Sequence, residues 1–507
     1  MKMKAVKIIA IMLIMSLSFI LISSCQSNDG NASNDSNTDN NINNPNQVDI
    51  DEEIQEQEEE RLYPDLEPVD FENYEFRFLT RTINDIDWAE WDHRDLYAEE
   101  ETGDIINDAV YARNRKIEEK YNITITETIV ADFGGTVRNT VRAGDDVYDV
   151  VLPHLVEVMS LAQDGNFVNM FNVPHIDLEK PWWDQGGIRD LSVGNRLFVL
   201  QGDLLIMDND AMEAMIFNKE LLRDTGLESP YEIVKRGEWT FDKLIEMSRG
   251  VSRDLNGDGV MFIRDDRFGC ILQSDTDLSF LVSGGEKIVS KDANDYPMIT
   301  FGSERSFRIM EKVSELMLDD DNVVQLHRYY GQFGIYDEQV KMMEEDRALF
   351  SWIRMRIVER LRAMETDFGI IPLPKLDTNQ PNYITHNNPH TGAAIAIPVT
   401  ASNLERTGMI LEDLSAESRY TLRPAYYEVN LRGKFVRDDD SQEMLDIILN
   451  NTAHDIGYIY DFGGFAMSII HYGRDRRADY ASAFERMQER MLRDIERMIE
   501  RYESFDD

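Results

Sequence analysis

The chain has 507 residues and carries 52 Lys and Arg against 96 Asp and Glu, a formal charge of -44. A surface this anionic repels phosphate backbones and acidic lipid headgroups, which argues against nucleic acid as a partner, and the excess acid reads as a solubilising surface. The length exceeds what one core organises, so two or more lobes are expected.

The chain opens with Lys2, Lys4 and Lys7, runs through an apolar stretch from Ile8 to Ile22, and reaches Ser23, Ser24 and Cys25. That order is the layout of a secretory signal peptide. The apolar run is shorter than the ~20 residues a helix needs to cross ~30 Å of hydrocarbon. Ile22-Ser23-Ser24-Cys25 resembles the lipobox of bacterial lipoproteins. The resemblance implies cleavage before Cys25, acylation of its thiol, and a chain anchored on the extracytoplasmic face of the cell membrane. Residues 1–24 then form the signal peptide, and 25–60 the lipidated cysteine and a tether. The tether is Asn, Asp, Ser, Gln and Glu with hardly an apolar side chain, too little to offset its ordering entropy. With Cys25 carrying lipid, Cys270 is the single thiol of the body, whose stability must come from burial rather than disulfides.

In the body, residues 61–507, the segment from Tyr74 to Thr80 alternates as a strand does, and Asn107 to Tyr121 places Val110, Ile117 and Tyr121 on one helical face. Ile123 to Thr126 reads as a second strand, and Val147 to Leu152 as a buried parallel one after a further helix. This is a βαβαβ opening and predicts an α/β fold. Thr240 is the expected N-cap of a helix in the helix-rich region 211–317, while 367–372 and 393–398 are apolar runs of strand length. Phe484, Met487, Met491, Ile495, Met498 and Tyr502 fall at helical spacing near the end, a core stripe. Lobe 1 is expected to span about 70–205 with a return segment at about 335–390, and lobe 2 about 206–334 with about 391–507.

Several stretches are shared in order with one protein group: Asn107-Asp108-Ala109-Val110-Tyr111, Pro181-Trp182-Trp183-Asp184, Gly202-Asp203, Phe217-Asn218-Lys219, Gly237-Glu238-Trp239-Thr240, Asp367-Phe368-Gly369-Ile370, Ile397-Pro398-Val399-Thr400, Pro424-Ala425-Tyr426-Tyr427 and Arg437-Asp438. The chain resembles the extracellular solute-binding proteins of bacterial ABC importers, in the sugar-type group. That resemblance implies a two-lobed periplasmic-binding-protein-like fold that closes by a hinge on a solute in the interlobe cleft. It also implies delivery of a carbohydrate to ABC permease subunits; a membrane-tethered shuttle needs no partner copy, so a monomer is expected. No Gly-x-x-x-x-Gly-Lys-[Ser/Thr] loop for an ATPase occurs in this chain.

Sugars present flat C–H faces to aromatic rings and hydroxyls to planar polar groups. Of Trp182, Trp183, Trp239, Trp352, Tyr426 and Tyr427, three adjoin breaks in secondary structure, so Trp183, Trp352 and Tyr427 are the candidate ligand contacts. Arg81 and Asp203 follow apolar strand-like runs and are the polar candidates. Asp254 to Asp265 fits the start of an EF-hand loop. Asp254, Asn256, Asp258, the Val260 carbonyl and Asp265 are the candidate ligands of a structural calcium, with Asp265 standing where that loop uses a bidentate Glu. No other cofactor is expected. The eight histidines lack zinc spacing, Asn387-Asn388-Pro389-His390 reads as a polar loop, and no Gly-x-Ser-x-Gly elbow occurs, so no enzyme activity is expected. The alternatives are a surface glycoside hydrolase with an unmarked carboxylate pair, and a ligand sensor built on the same fold.

Overall fold

The computed structural model describes residues 61–82, 93–431 and 439–505. The leader, the tether with Cys25, and the Arg437-Asp438 match lie outside the described residues.

Strand β1 (Tyr74–Arg81) buries Phe76, Phe78, Leu79 and Thr80. It pairs in parallel with β2 (Ile123–Val130) from Tyr74 opposite Ile123 to Arg81 opposite Val130. On its other side it pairs with β3 (Val150–Leu152), Phe78 opposite Val150, giving the order β2-β1-β3. The helix between β1 and β2, Ile105–Tyr121, starts where the Asp104 carboxylate accepts the N–H groups of Ile106 and Asn107. It stops where Asn122 adopts the left-handed conformation, φ 46°, and it buries Val110, Ile117 and Tyr121 as their spacing predicts. Beyond β3 the sheet continues through single bridges, Val151 to Ala396 and Leu200 to Ile395, both antiparallel. Two reversals make the segment ending at Leu200 run with β3. The carboxyl edge of this sheet therefore gathers Arg81, His154 and the Gly202-Asp203 turn.

The second sheet holds β4 (Glu213–Asn218), β5 (Phe268–Leu272), β6 (Val323–Gln325), β7 (Ala348–Arg354) and β8 (Phe368–Ile371), in the order β8-β4-β7-β5-β6. Every residue of β4, β5 and β7 is buried, as strands covered on both faces must be. β7 runs parallel to β5 and antiparallel to β4, which sets Glu213 opposite Arg354. Cys270, in β5, is fully buried, and that burial pushes its thiol pKa up.

The expected return segments are exchanged. Strands β7 and β8, inside 335–390, belong to the second sheet, and 393–398 joins the first. The apolar runs were legible as strands, but which sheet takes them depends on partners far away in sequence. Among the described residues, the segments around 206–212 and 385–393 cross between the sheets, and the stretches 421–431 and 439–454 lie alongside them. Within them Thr385 pairs with Thr452 and His386 with Ala453. The last helix, Tyr480–Glu503, buries Phe484, Met491, Ile495, Met498 and Tyr502, and Met487 packs against the same core. Its methionines are core.

Candidate functional site

The carboxyl ends of the two sheets are tied to each other. The His93 imidazole Nε2 lies 3.2 Å from the Leu152 carbonyl at the end of β3, which seats its neighbour Arg94 at that edge. The Arg94 guanidinium reaches Glu359 at 2.6 Å, on the 3-10 helix Met355–Ala363 that follows β7. Open α/β sheets collect ligands outside the carboxyl ends of their strands, so the space along this junction is the candidate site.

The junction has two parts, separated by the crossing segments. Met212 lines a cavity of about 560 Å³. The next residue, Glu213, is fully buried in a polar cluster. Successive side chains of extended backbone point to opposite faces, so one ribbon serves both.

In the cluster Glu213 accepts hydrogen bonds from His386 Nδ1 at 2.9 Å and Asn388 Nδ2 at 3.0 Å. Asn388 Nδ2 also reaches Asp275 at 3.2 Å, and Asp275 forms an ion pair with Arg354. Burial would raise the Asp275 pKa, but Arg354 and His327 hold it below the ordinary value. Tyr458 stacks on His386 at 5.6 Å between ring centres and lies 5.5 Å from His390. Burial, with the charge of Arg81, pushes His154 down to about 3, so it is neutral. Four buried atoms here, Asp275 Oδ1, Arg354 Nε, His386 Nε2 and Trp352 Nε1, have no hydrogen-bond partner among the described residues.

The cavity is walled by Trp182, Trp183, Tyr383 and Tyr427. Its polar lining includes Asp184, Asp203, Asp208, Arg423 and the amides of Gln380, Asn382, Asn450 and Asn451. Trp183 bridges Gly202, where a Cβ would come within 2.2 Å of the Trp182 carbonyl oxygen; only glycine lets the Trp pair lie against the Asp203 turn. The Trp183 indole N–H donates to Glu412 at 2.9 Å, which fixes the ring. Asp203 pairs with Arg419 at 3.0 Å and Arg423 at 3.1 Å, and the Arg423 guanidinium lies 5.7 Å from the Tyr427 ring centre.

Three of the five sequence candidates, Trp183, Asp203 and Tyr427, thus meet around one cavity. Arg81 and Trp352 do not line it. Arg81 ends β1 and pairs with Glu157 at 3.0 Å, and Trp352 is wholly buried in β7 with the Arg354 guanidinium 5.2 Å from its ring centre. In the 254–265 loop Asp254 accepts the N–H groups of Gly257 at 2.6 Å and Gly259 at 2.8 Å, and Asp258 accepts that of Val260 at 2.8 Å. The loop is closed by the buried Asp266, which accepts from Leu255 and Phe262, rather than by Asp265. Among the described residues no three carboxylates, imidazoles or thiols converge as a cation site.

No protein-family model matches this sequence, and no curated protein does either. Solved structures do. The galacto-N-biose/lacto-N-biose I-binding protein of an ABC transporter from Bifidobacterium longum, in complex with lacto-N-biose, is similar over 85% of this chain and 98% of its own, at TM-score 0.56 and 12% identity. An ABC substrate-binding protein from Listeria monocytogenes in complex with cycloalternan matches over 84% of this chain and 99% of its own, at TM-score 0.54 and 9% identity. The GacH receptor of Streptomyces glaucescens matches over 83% and 98%, at TM-score 0.51 and 12% identity. The fold is that of the two-lobed solute-binding proteins.

The junction is rich in polar groups whose place the order of residues does not reveal. Asn387-Asn388-Pro389-His390 is not a polar surface loop: Asn388 is fully buried, and the segment is one of the crossings that carry the cluster. Arg354 was hidden because it closes the buried strand β7, whose own pattern is apolar, and Asp275 because it stands in the polar turn between β5 and the helix Thr276–Ser283, where acids are ordinary. Asp208 sits in Ile206-Met207-Asp208-Asn209-Asp210, where nothing in the order of residues separates it from Asp210, which pairs with Arg94 and Arg356 instead.

Proposed function

We propose that this chain is the binding component of a membrane importer, capturing a sugar or short oligosaccharide between its two lobes and delivering it to a permease. The observation that carries this reading is the cavity at the joined carboxyl edges. Tryptophan and tyrosine walls suit the C–H faces of a pyranose, and amides and carboxylates among them suit its hydroxyls. Two similar structures, each matched over nearly its whole length, support it: one is in complex with lacto-N-biose and the other with cycloalternan. Acylated Cys25 would hold the protein outside the cell as a monomer, near its permease, with the acidic tether as spacer. Tyr427 takes a ring face, Trp183, which is only 2% exposed, backs the wall, and Asp203, held by two arginines, accepts hydroxyl hydrogen bonds.

A thermal-shift and calorimetric screen of the full chain against mono- and oligosaccharides, with product analysis, tests this. At 100 times Kd a bound solute adds about 2.7 kcal/mol of stability. A shift with one carbohydrate class and no product supports a binder. Turnover of a glycan would replace the reading with a hydrolase, and no shift with any sugar would remove carbohydrate as the cargo.

A further inference from the structure

Charge is distributed unevenly around the cavity. Asp184, Arg189, Asp203, Asp208, Lys287 and Arg423 line it. Asp203 is neutralised by Arg419 and Arg423. Arg189 and Lys287 both turn to Asp190, at 2.9 and 2.8 Å. Asp184 accepts the Gly186 N–H at 2.9 Å and faces His454 Nε2 at 3.2 Å. That leaves Asp208. One of its oxygens accepts the Asn209 N–H at 2.7 Å, and among the described residues it has no cation partner. The residue is only 5% exposed, yet it lines the cavity. Burial, together with the carboxylates of Asp184, Asp95 and Asp203, holds its pKa well above the ordinary value.

A buried carboxyl without a counter-ion takes up a proton in preference to staying charged, and the acids Asp184, Asp95 and Asp203 add to that tendency. The lining therefore has one defined place where an arriving cation would let a carboxyl ionise. An ammonium group supplies that charge and three N–H donors, which a hydroxyl does not. We propose that the cavity selects carbohydrates bearing a free amine, with Asp208 as the counter-ion, Asp184 beside it, and Tyr427 holding the amino sugar's ring. This deepens, and rests on, the carbohydrate-binding reading above. N-acetylation removes the charge and adds bulk at the same atom, so the acetylated sugar is the discriminating control.

The test is titration calorimetry of the full chain with glucosamine oligomers of two to four units, their N-acetylated counterparts, and maltotriose, at a pH that keeps the amine charged. The amine-bearing oligomer is expected to bind at least about tenfold tighter than the acetylated one, with the ratio falling towards one in Asp208→Asn. Asp184→Asn, which also lowers the ratio, carries the same test if the first variant does not fold. Equal or tighter binding of acetylated oligomer or maltotriose overturns amine selection and leaves the carbohydrate reading standing. Failure of all three to bind overturns both.

Discussion

The two faces of the crossing segments solve opposite problems with neighbouring residues. On one face Glu213, Asn388, His386, Asp275 and Arg354 form a buried network in which each charge has an opposite charge or an amide, while Asp275 Oδ1, Arg354 Nε and His386 Nε2 find no further partner among the described residues. On the other face, one residue away at Met212, the groups line an open volume and one carboxyl is left over. The difference teaches that burial by itself does not separate structural from binding polar groups. What separates them is whether a carboxyl's opposite charge is already in the protein, as Arg354 is for Asp275.

The largest effect should come from breaking the closed face. Arg354→Ala leaves Asp275 buried without its cation and is expected to cost about 3–5 kcal/mol in chemical denaturation. A loss below about 1 kcal/mol would mean that water enters the cluster, and the contrast between the faces would collapse.

The next effect belongs to the carboxyl behind the cavity wall. Burial pushes Glu412 up to about 7, opposed by its hydrogen bonds from the Trp183 indole and the Asp177 N–H. Its folded-state pKa is above the unfolded one. Its contribution is therefore fully present at acid pH and is lost as pH rises through about 7, since the unfolded chain releases the proton first. Stability should fall by about 3 kcal/mol between pH 4 and 8 on this account, and Glu412→Gln should flatten that slope. An unchanged slope would show Glu412 ionised in the folded state.

On the open face, Tyr427→Ala should weaken solute binding about five- to tenfold while leaving the melting temperature nearly unchanged, since the ring is only half-buried and stacking is worth about 1 kcal/mol. A large loss of stability instead would place Tyr427 with the structural groups. The smallest effect is expected from calcium: Asp254 and Asp258 already accept the loop's own N–H groups, so the cation should raise the melting temperature slightly and a chelator should reverse it. Indifference to both would assign the loop to its hydrogen bonds alone.

Much of the fold was legible. Tyr74–Arg81 and Ile105–Tyr121 declare themselves because their periods of two and 3.6 are written in adjacent residues. The lobe assignment of β7, β8 and 393–398 was not, because pairing across hundreds of residues leaves no local trace. The site divided in the same way. Trp183, Asp203 and Tyr427 stand at visible breaks in pattern and meet at the cavity. Asp208 and Asp210, two residues apart and equally acidic, differ only in what the fold brings to them.

Cys270 gives the chain an experimental convenience. Its thiol is sealed inside β5 and protonated, so alkylating reagents should meet it only when the strand itself opens. Its labelling rate is then a clock for unfolding. Pairs of fluorophores can also be attached to new cysteines on the two lips of the cleft without first removing a native reactive thiol from the folded body, so that distance across the mouth can be followed as solute is added.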